Sequence, residues 1–323
     1  MKSVVLAAAL ALGACGPSSS PPPTAKPLVI ASFYPLWEFS KQVAGDRAEV
    51  VSLVPPGFEP HDWEPSPQDV ATVERAKVFV LNGAGFDPWA QKLLANVKPS
   101  ELVTVTATEG IELLRADLPV HGHEDTPSHG TTPAATPASR ADRAGQTAAP
   151  DPHVWTDPVL AQAQVERIRG GLAKADPSNA SVYEVNANAY LARLAALHAE
   201  FERGLAECAR RDIVVSHAAF GYMAKRYHLT QVPVMGLAPE AEPSPAELAR
   251  IVRFAKRRQV KHIFFETLVS PKLAETLARE VGANSLLLNP VEGLTKAEAA
   301  AGADYFFVMR ENLKNLRIGL ACR

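Results

Sequence analysis

Three of the nine histidines in this chain stand where a fold could bring their imidazoles together. His61 lies in PPGFEPHDWEPSP, just after a predicted strand, and His217 ends a predicted strand in IVVSHAAFGY. His153, in DPHVWTDP, precedes a helix that Asp157 and Pro158 are placed to begin. Ligands of open α/β sheets bind at the carboxyl ends of strands, and converging imidazoles favour zinc, copper, iron or nickel. Taken alone, a histidine near a helix start or a strand end more often has a hydrogen-bonded structural role.

The elements around these histidines alternate in type. Between residues 27 and 177, strands are predicted in VIAS, AEVVSLVPPG, KVFVLNGAG and ELVTVTAT, with a helix after each of the first two. Residues 210–323 repeat the alternation with strands in DIVVSH, VPVMGL, KHIFFE and NSLLLN. Such alternation is typical of an α/β fold with mostly parallel sheets. Residues 178–209 carry apolar side chains every three or four positions, which predicts one helix about 45 Å long. We therefore predict two α/β lobes joined by one long rigid helix.

The composition excludes some classes of protein. With 323 residues, 47% of them hydrophobic, the chain can bury a globular core in two lobes. A formal net charge of −2 and the lack of a basic stripe give no indication of nucleic-acid binding.

The first 15 residues have the pattern of an export signal. Met1 and Lys2 precede a short apolar run, Val4 to Leu12, which is too short to span a bilayer, and LGAC ends at Cys15. The pattern resembles a bacterial lipoprotein signal, in which Cys15 becomes the lipidated first residue; an ordinary secretory signal is the alternative. Residues 16–26 are then a disordered tether. We expect an extracytoplasmic protein, periplasmic or at the cell surface, anchored to the membrane by the lipid.

The two remaining cysteines are Cys208 and Cys322. An oxidising compartment permits a disulfide between them, but their separation in sequence says nothing about contact. A Cys208–Cys322 disulfide and two buried free thiols both remain open.

Several segments resemble the zinc/manganese class of ABC-transporter solute-binding proteins. PGFEPHDWEPSPQDV, DPHVWTDP and SHAAFGYMAKRY look like its three signature segments, in the family's order, and KHIFFETLVSPKLAETLAREVGA and LLLNPVEGL are also similar. The likeness covers nearly all of residues 27–323. It implies two lobes on a rigid helix, one metal ion between them, and His61, His153 and His217 as its first three ligands. It also implies delivery to an ABC permease, by a protein that we expect to be a monomer.

The fourth ligand is where this chain departs from the family. The family usually has an aspartate where this sequence has Asn289, whose amide oxygen is a weaker, neutral ligand. Three neutral imidazoles leave the double charge of the ion uncompensated, which calls for an anion nearby. Glu59 or water is our first expectation, Asn289 the second and Glu266 the third.

The ligand types favour Zn²⁺ over Mn²⁺. Manganese members of the family typically present two histidines and two carboxylates, because Mn²⁺ prefers oxygen donors. A histidine at position 217 and no carboxylate at position 289 shift the site towards nitrogen donors and zinc.

A segment rich in Thr, Pro, Ala and Gly, residues 119–150, predicts a mobile loop. It contains His121, His123 and His129 in HGHEDTPSH, and zinc members of the family often carry a His- and acid-rich loop at this place. The loop is either a low-affinity zinc collector or a solvated linker. Trp63 and Trp155 beside two proposed ligands either shield the cleft from water or pack in the core.

Other functions on the same residues were weighed. A manganese or iron importer, or a surface adhesin, would use the same fold. Three histidines and a water on zinc could also form a hydrolase, with Glu59 or Glu266 as base. The sequence contains neither H-E-x-x-H nor G-x-S-x-G, so we expect a binding protein and not an enzyme.

Overall fold

Two parallel four-stranded sheets form the cores of two α/β lobes, as predicted. The computed structural model describes residues 26–97, 101–115, 149–239 and 243–323. In the first lobe the strand order is β2-β1-β3-β4. Its strands are β1 (Leu28–Ala31), β2 (Glu49–Ser52), β3 (Val78–Leu81) and β4 (Val103–Thr106), and its helices are α1 (Tyr34–Ala44), α2 (Pro67–Val73), α3 (Pro88–Asn96) and α4 (Pro158–Ala175).

The second lobe repeats this topology with the order β6-β5-β7-β8. Its strands are β5 (Asp212–Val215), β6 (Thr230–Pro233), β7 (His262–Phe265) and β8 (Asn284–Leu287). Its helices are α6 (Gly221–Arg226), α7 (Pro245–Arg257), α8 (Lys272–Val281), α9 (Lys296–Ala300) and α10 (Tyr305–Leu320). Because every strand pair in both sheets is parallel, the carboxyl ends of the strands in each lobe lie along one edge.

The long helix α5 (Ala180–Leu205) joins the lobes. Its 26 residues span about 39 Å, so it is shorter than the predicted 178–209. A 3-10 turn, Pro177–Asn179, precedes it. At its other end the guanidinium of Arg211 donates to the carbonyls of Leu205 and Ala206, both at 2.7 Å, which satisfies carbonyls that the helix leaves free. The helix packs against α1 and α4 on one side and α10 on the other.

Helix starts were the most predictable boundaries. Ser66 and Ser244 cap α2 and α7 in full capping boxes, and Asp157 caps α4 by accepting from the N–H of Val159 at 2.8 Å. The sequence analysis missed α3. Asp87, before its first residue, directs its carboxylate to backbone N–H groups of the preceding loop and does not cap the helix.

The lobes share one hydrophobic core. Side chains of the first sheet, of α5, of β5 and of α10 belong to one buried cluster, and a smaller cluster fills the outer part of the second lobe. Cys208 and Cys322 form a disulfide, which settles the choice between a bridge and free thiols. The bridge ties the segment after α5 to the end of α10.

Within the described ranges, the model has no helix with both the length and the apolar character needed to cross a bilayer.

Two adjacent glycines in α4 give a matched test of how this helix packs on the first sheet. A Cβ at Gly171 would overlap the side chain of Val105 on β4, whereas a Cβ at Gly170 meets nothing within 4 Å. We expect Gly171→Ala to lower the free energy of unfolding by about 1–2 kcal/mol, because the overlap outweighs the gain in helix propensity. Gly170→Ala should raise it by up to about 1 kcal/mol. Urea denaturation measures both; equal effects would contradict the described packing.

Candidate metal centre

Four ligand-type side chains from four separate segments meet between the lobes. His61 lies in the loop after β2, and His217 follows the end of β5 by two residues. His153 directly precedes the 3-10 turn Val154–Thr156 that leads to α4. Glu292 lies in the loop after β8. One ligand atom from each of the four lies within 4.8 Å of the others.

The distances within this cluster match those between the ligands of one small cation. Oε1 of Glu292 lies 3.5 Å from Nε2 of His61 and 3.2 Å from Nε2 of both His153 and His217. Zinc binds imidazole nitrogen and carboxylate oxygen at about 2.0–2.2 Å, so neighbouring ligand atoms of a tetrahedral site are about 3.3–3.5 Å apart. The three distances from Glu292 are therefore those expected between ligands of one zinc ion, and all four atoms lie within 4.8 Å of one another.

The cluster is buried and its polar atoms are not all satisfied. The side chains of His153 and His217 are fully buried, and that of Glu292 is 1% exposed. Nε2 of His61, Nε2 of His153 and Oε2 of Glu292 are buried without a hydrogen-bond partner. Buried polar atoms are normally paired, since an unpaired one costs free energy. A cation at the centre would take these lone pairs.

Two carboxylates outside the cluster hold two of the rings. Oδ1 of Asp151 lies 2.8 Å from Nδ1 of His153, and Oε1 of Glu266 lies 2.8 Å from Nδ1 of His217. The same oxygens accept the backbone N–H of the two histidines, at 3.0 and 3.2 Å. With Nδ1–H donating to a carboxylate, Nε2 is free to bind a metal, which is the arrangement of many zinc-bound histidines.

The charges in the cluster stabilise one another. Burial by itself lowers the pKa of His217, but Glu266 and Glu292 outweigh it and raise this pKa well above the ordinary value. Burial also opposes a charge on His153, but Asp151 and Glu292 beside its ring outweigh it and raise its pKa. Burial opposes ionisation of Glu292, yet the charge of His217 and hydrogen bonds from the imidazoles hold its pKa well below the ordinary value. The carboxylates that favour protons on His153 and His217 would equally favour a metal cation at the same place.

Glu59, one of the first choices for fourth ligand, lies outside the cluster. Its Oε1 accepts the backbone N–H of His61 at 3.3 Å, and burial and the charge of Glu292 raise its pKa to about 9. Burial thus opposes a negative charge on this carboxyl in the metal-free protein. Glu59 therefore braces the backbone of His61.

Asn289 is not in the cluster either. Its Oδ1 accepts the N–H of Val291 at 2.7 Å and its Nδ2 donates to Oγ1 of Thr267 at 3.0 Å, so the amide is fully engaged. Glu292 was not among the predicted ligands, although it lies in the same LLLNPVEGL segment. The signal was available, because Glu292 is the carboxylate of that segment and the argument required an anion.

The two tryptophans that the sequence placed beside proposed ligands have different surroundings. Trp155 is fully buried, with its ring 5.2 Å from that of His153 and its Nε1 donating to the carbonyl of Pro290 at 2.7 Å. Trp63 is half-buried and packs on the ring of Trp89 at 4.6 Å. The remaining predictions lie outside the described residues; they concern Cys15 and the loop histidines His121, His123 and His129.

Comparisons with known proteins identify zinc-uptake and zinc-binding proteins as relatives of this chain. The family model ZnuA, described as zinc-uptake complex component A periplasmic, matches residues 29–319. The high-affinity zinc uptake system protein ZnuA of Bacillus subtilis (strain 168) is 37% identical over 321 residues, which are 98% of this chain and 96% of that protein. The zinc-binding lipoprotein AdcA of Streptococcus pneumoniae serotype 4 is 38% identical over 315 residues, but the chain spans only 60% of its length.

A solved structure of a relative shows the same fold. The Zn(II)-bound ZnuA-like domain of Streptococcus pneumoniae AdcA is 36% identical, with a TM-score of 0.73, over 91% of this chain and 99% of that domain. The match of sequence, fold and length over both lobes shows that this chain belongs to the ZnuA family of periplasmic components of zinc-uptake complexes.

Proposed function

We propose that His61, His153, His217 and Glu292 bind one Zn²⁺ ion and that the protein delivers it to an ABC permease for import. The observation that carries this proposal is the approach of three imidazole nitrogens to one buried carboxylate oxygen at 3.2–3.5 Å. Zinc is the cargo here, so the site must bind it tightly and also release it.

The donor set favours zinc over manganese. Three nitrogens and one oxygen in a small tetrahedral arrangement suit Zn²⁺, whereas Mn²⁺ prefers more oxygen donors. Glu292 supplies one negative charge in contact with the ion, and Asp151 and Glu266 add two more behind the rings. This meets the need for an anion in a buried cleft.

The same geometry supports a binding protein and not a hydrolase. A catalytic zinc keeps a coordination position for water or substrate, but here four protein groups occupy the tetrahedron. Glu59 and Glu266, considered as bases, are engaged by the backbones of His61 and His217. Ester hydrolysis by the zinc-loaded protein at a rate above that of free zinc would contradict this assignment.

The proposal includes attachment to the outer face of the membrane. Lipidation at Cys15, with residues 16–26 as tether, would hold a monomeric protein near its permease. The name of the relative AdcA, a zinc-binding lipoprotein, supports this part. The loop histidines His121, His123 and His129 would collect zinc weakly beside the main site. Metabolic labelling with a fatty acid, lost in Cys15→Ala, tests the anchor.

We expect replacement of any one cluster histidine by alanine to weaken zinc binding at least about 100-fold, because four ligands share a binding free energy of about 10–16 kcal/mol. Glu292→Gln should also weaken it strongly, since it removes the charge and keeps the shape. Deletion of residues 121–130 should change the affinity of the main site much less. Titration against a competing chelator measures each variant.

Two matched controls identify the fourth ligand. Glu59→Gln keeps an oxygen that can accept the N–H of His61, and Glu64→Gln removes an exposed charge nearby; both should bind zinc nearly as the parent does. A larger loss in Glu59→Gln than in Glu292→Gln would assign the fourth ligand to Glu59.

Zinc affinity should decrease as the pH is lowered, and the decrease should begin above pH 6.5. The raised pKa values of His153 and His217 mean that more of each ring is protonated at a given pH, and zinc must displace those protons. Each displaced proton lowers the apparent affinity by about tenfold per pH unit within this window. Chelator competition between about pH 5.5 and 9, with proton release measured by calorimetry in two buffers, tests this.

Glu266→Gln serves as the internal comparison. Removing the carboxylate behind Nδ1 should lower the pKa of His217 and shift the loss of affinity to lower pH. It should also weaken binding at high pH by about 10–100-fold. An affinity that stays constant across the whole pH range would count against histidine ligation.

A further inference from the structure

The turn that carries Glu292 holds Val291 in a backbone conformation that its side chain disfavours. Val291 has φ +62° and is fully buried. Among the described non-glycine residues with positive φ, it is the β-branched one, and such strain is typical of functional sites. The strained residue directly precedes the carboxylate of the metal cluster.

Asn289 holds this turn from within the second lobe. Its Oδ1 accepts the N–H of Val291 at 2.7 Å, and its Nδ2 donates to Oγ1 of Thr267 at 3.0 Å. Its backbone N–H donates to Oδ1 of Asn312 at 2.8 Å, and its carbonyl accepts from Nδ2 of Asn312 at 2.6 Å. Both asparagines are almost fully buried. Asn289 is therefore fixed on both sides while it holds Val291.

The first lobe holds the same turn at its next residue. Nε1 of Trp155 donates to the carbonyl of Pro290 at 2.7 Å, and the carbonyl of Trp155 accepts from the hydroxyl of Tyr305 at 2.7 Å. Trp155 is two residues from His153. One hydrogen bond thus connects the turn before Glu292 to the segment that presents the second histidine.

We propose that Asn289 is a positioning residue: by holding Val291 at positive φ, it directs the carboxylate of Glu292 to the three imidazoles. It completes the site without touching the metal. This inference rests on the proposed function, in which Glu292 is the fourth zinc ligand. It also gives a structural reason why an amide can stand where the resemblance implied an acidic ligand.

The test is a double-mutant cycle in the full chain, read as zinc affinity by chelator competition. We expect Asn289→Ala to weaken zinc binding about 10–100-fold, as for outer partners of metal ligands. In the Glu292→Gln background, Asn289→Ala should change affinity by no more than about twofold, because the group it positions is already removed. A merely structural role would give the same loss in both backgrounds.

Asn315→Ala is the matched control. Nδ2 of Asn315 on α10 donates to the carbonyl of Leu287 at 2.9 Å, so it ties the same chain segment to the same helix but does not touch the turn. It should lower thermal stability without changing zinc affinity by more than about twofold. A loss of affinity equal to that of Asn289→Ala would overturn the proposal.

A second pair of variants tests the backbone strain at Val291 directly. Glycine adopts a positive φ without strain. In Val291→Gly the turn therefore no longer needs the hydrogen bond to Asn289 to hold this conformation. Asn289→Ala should therefore cost less zinc affinity in the Val291→Gly background than in the parent. An undiminished loss there overturns the proposal. Unchanged zinc affinity in Glu292→Gln would refute the fourth ligand itself, whereas equal losses on both sides of the cycle refute only the positioning role.

Discussion

The whole arrangement depends on one buried carboxylate surrounded by three imidazoles. Glu292 and its three histidine neighbours would each lose free energy if buried alone, because neither a charged carboxylate nor an unpaired ring nitrogen is solvated there. Together they compensate one another, and a divalent cation among them would compensate all four. The cluster is therefore a place where protons and zinc compete for the same nitrogen atoms.

The fold provides what this competition needs, which is precise placement of groups from two lobes. In each parallel sheet the strands deliver their loops to one edge, and residues from loops of both lobes meet in the metal cluster. A single buried core extends from the first sheet through α5 to α10, and the Cys208–Cys322 bridge closes the far end. Such a continuous core favours lobes that keep a fixed relation, in contrast to lobes that are joined only by flexible strands.

The polar residues around the cluster have two kinds of contact: some hold imidazole rings and add charge, and others hold backbone. Asp151 and Glu266 orient rings and add negative charge behind them, so they raise the affinity for protons and metal alike. Glu59 and Asn289 each accept a backbone N–H next to a residue of the cluster, that of His61 and that of Val291. In the proposed site, two residues that the sequence suggested as ligands therefore support ligands.

Short sequence patterns predicted much of the secondary structure and three of the four residues of the cluster. The strand–helix alternation, the caps at Ser66, Asp157 and Ser244, and the three histidines beside strand ends or a helix start were all readable from short segments, because these features depend on neighbouring residues. The exact extent of α5 was less readable, since a side chain outside it, Arg211, ends the helix.

Only the tertiary structure decided the fourth group of the cluster and the disulfide. Glu59, Asn289 and Glu292 are all polar residues near strand ends, and their sequence neighbours do not say which one turns inward. That choice depends on a strained backbone at Val291 and on partners far along the chain, Asn312 and Trp155. Sequence alone determined which chemistry was available, and long-range packing decided which atoms meet, because the contacts that orient a side chain come from segments remote in the chain.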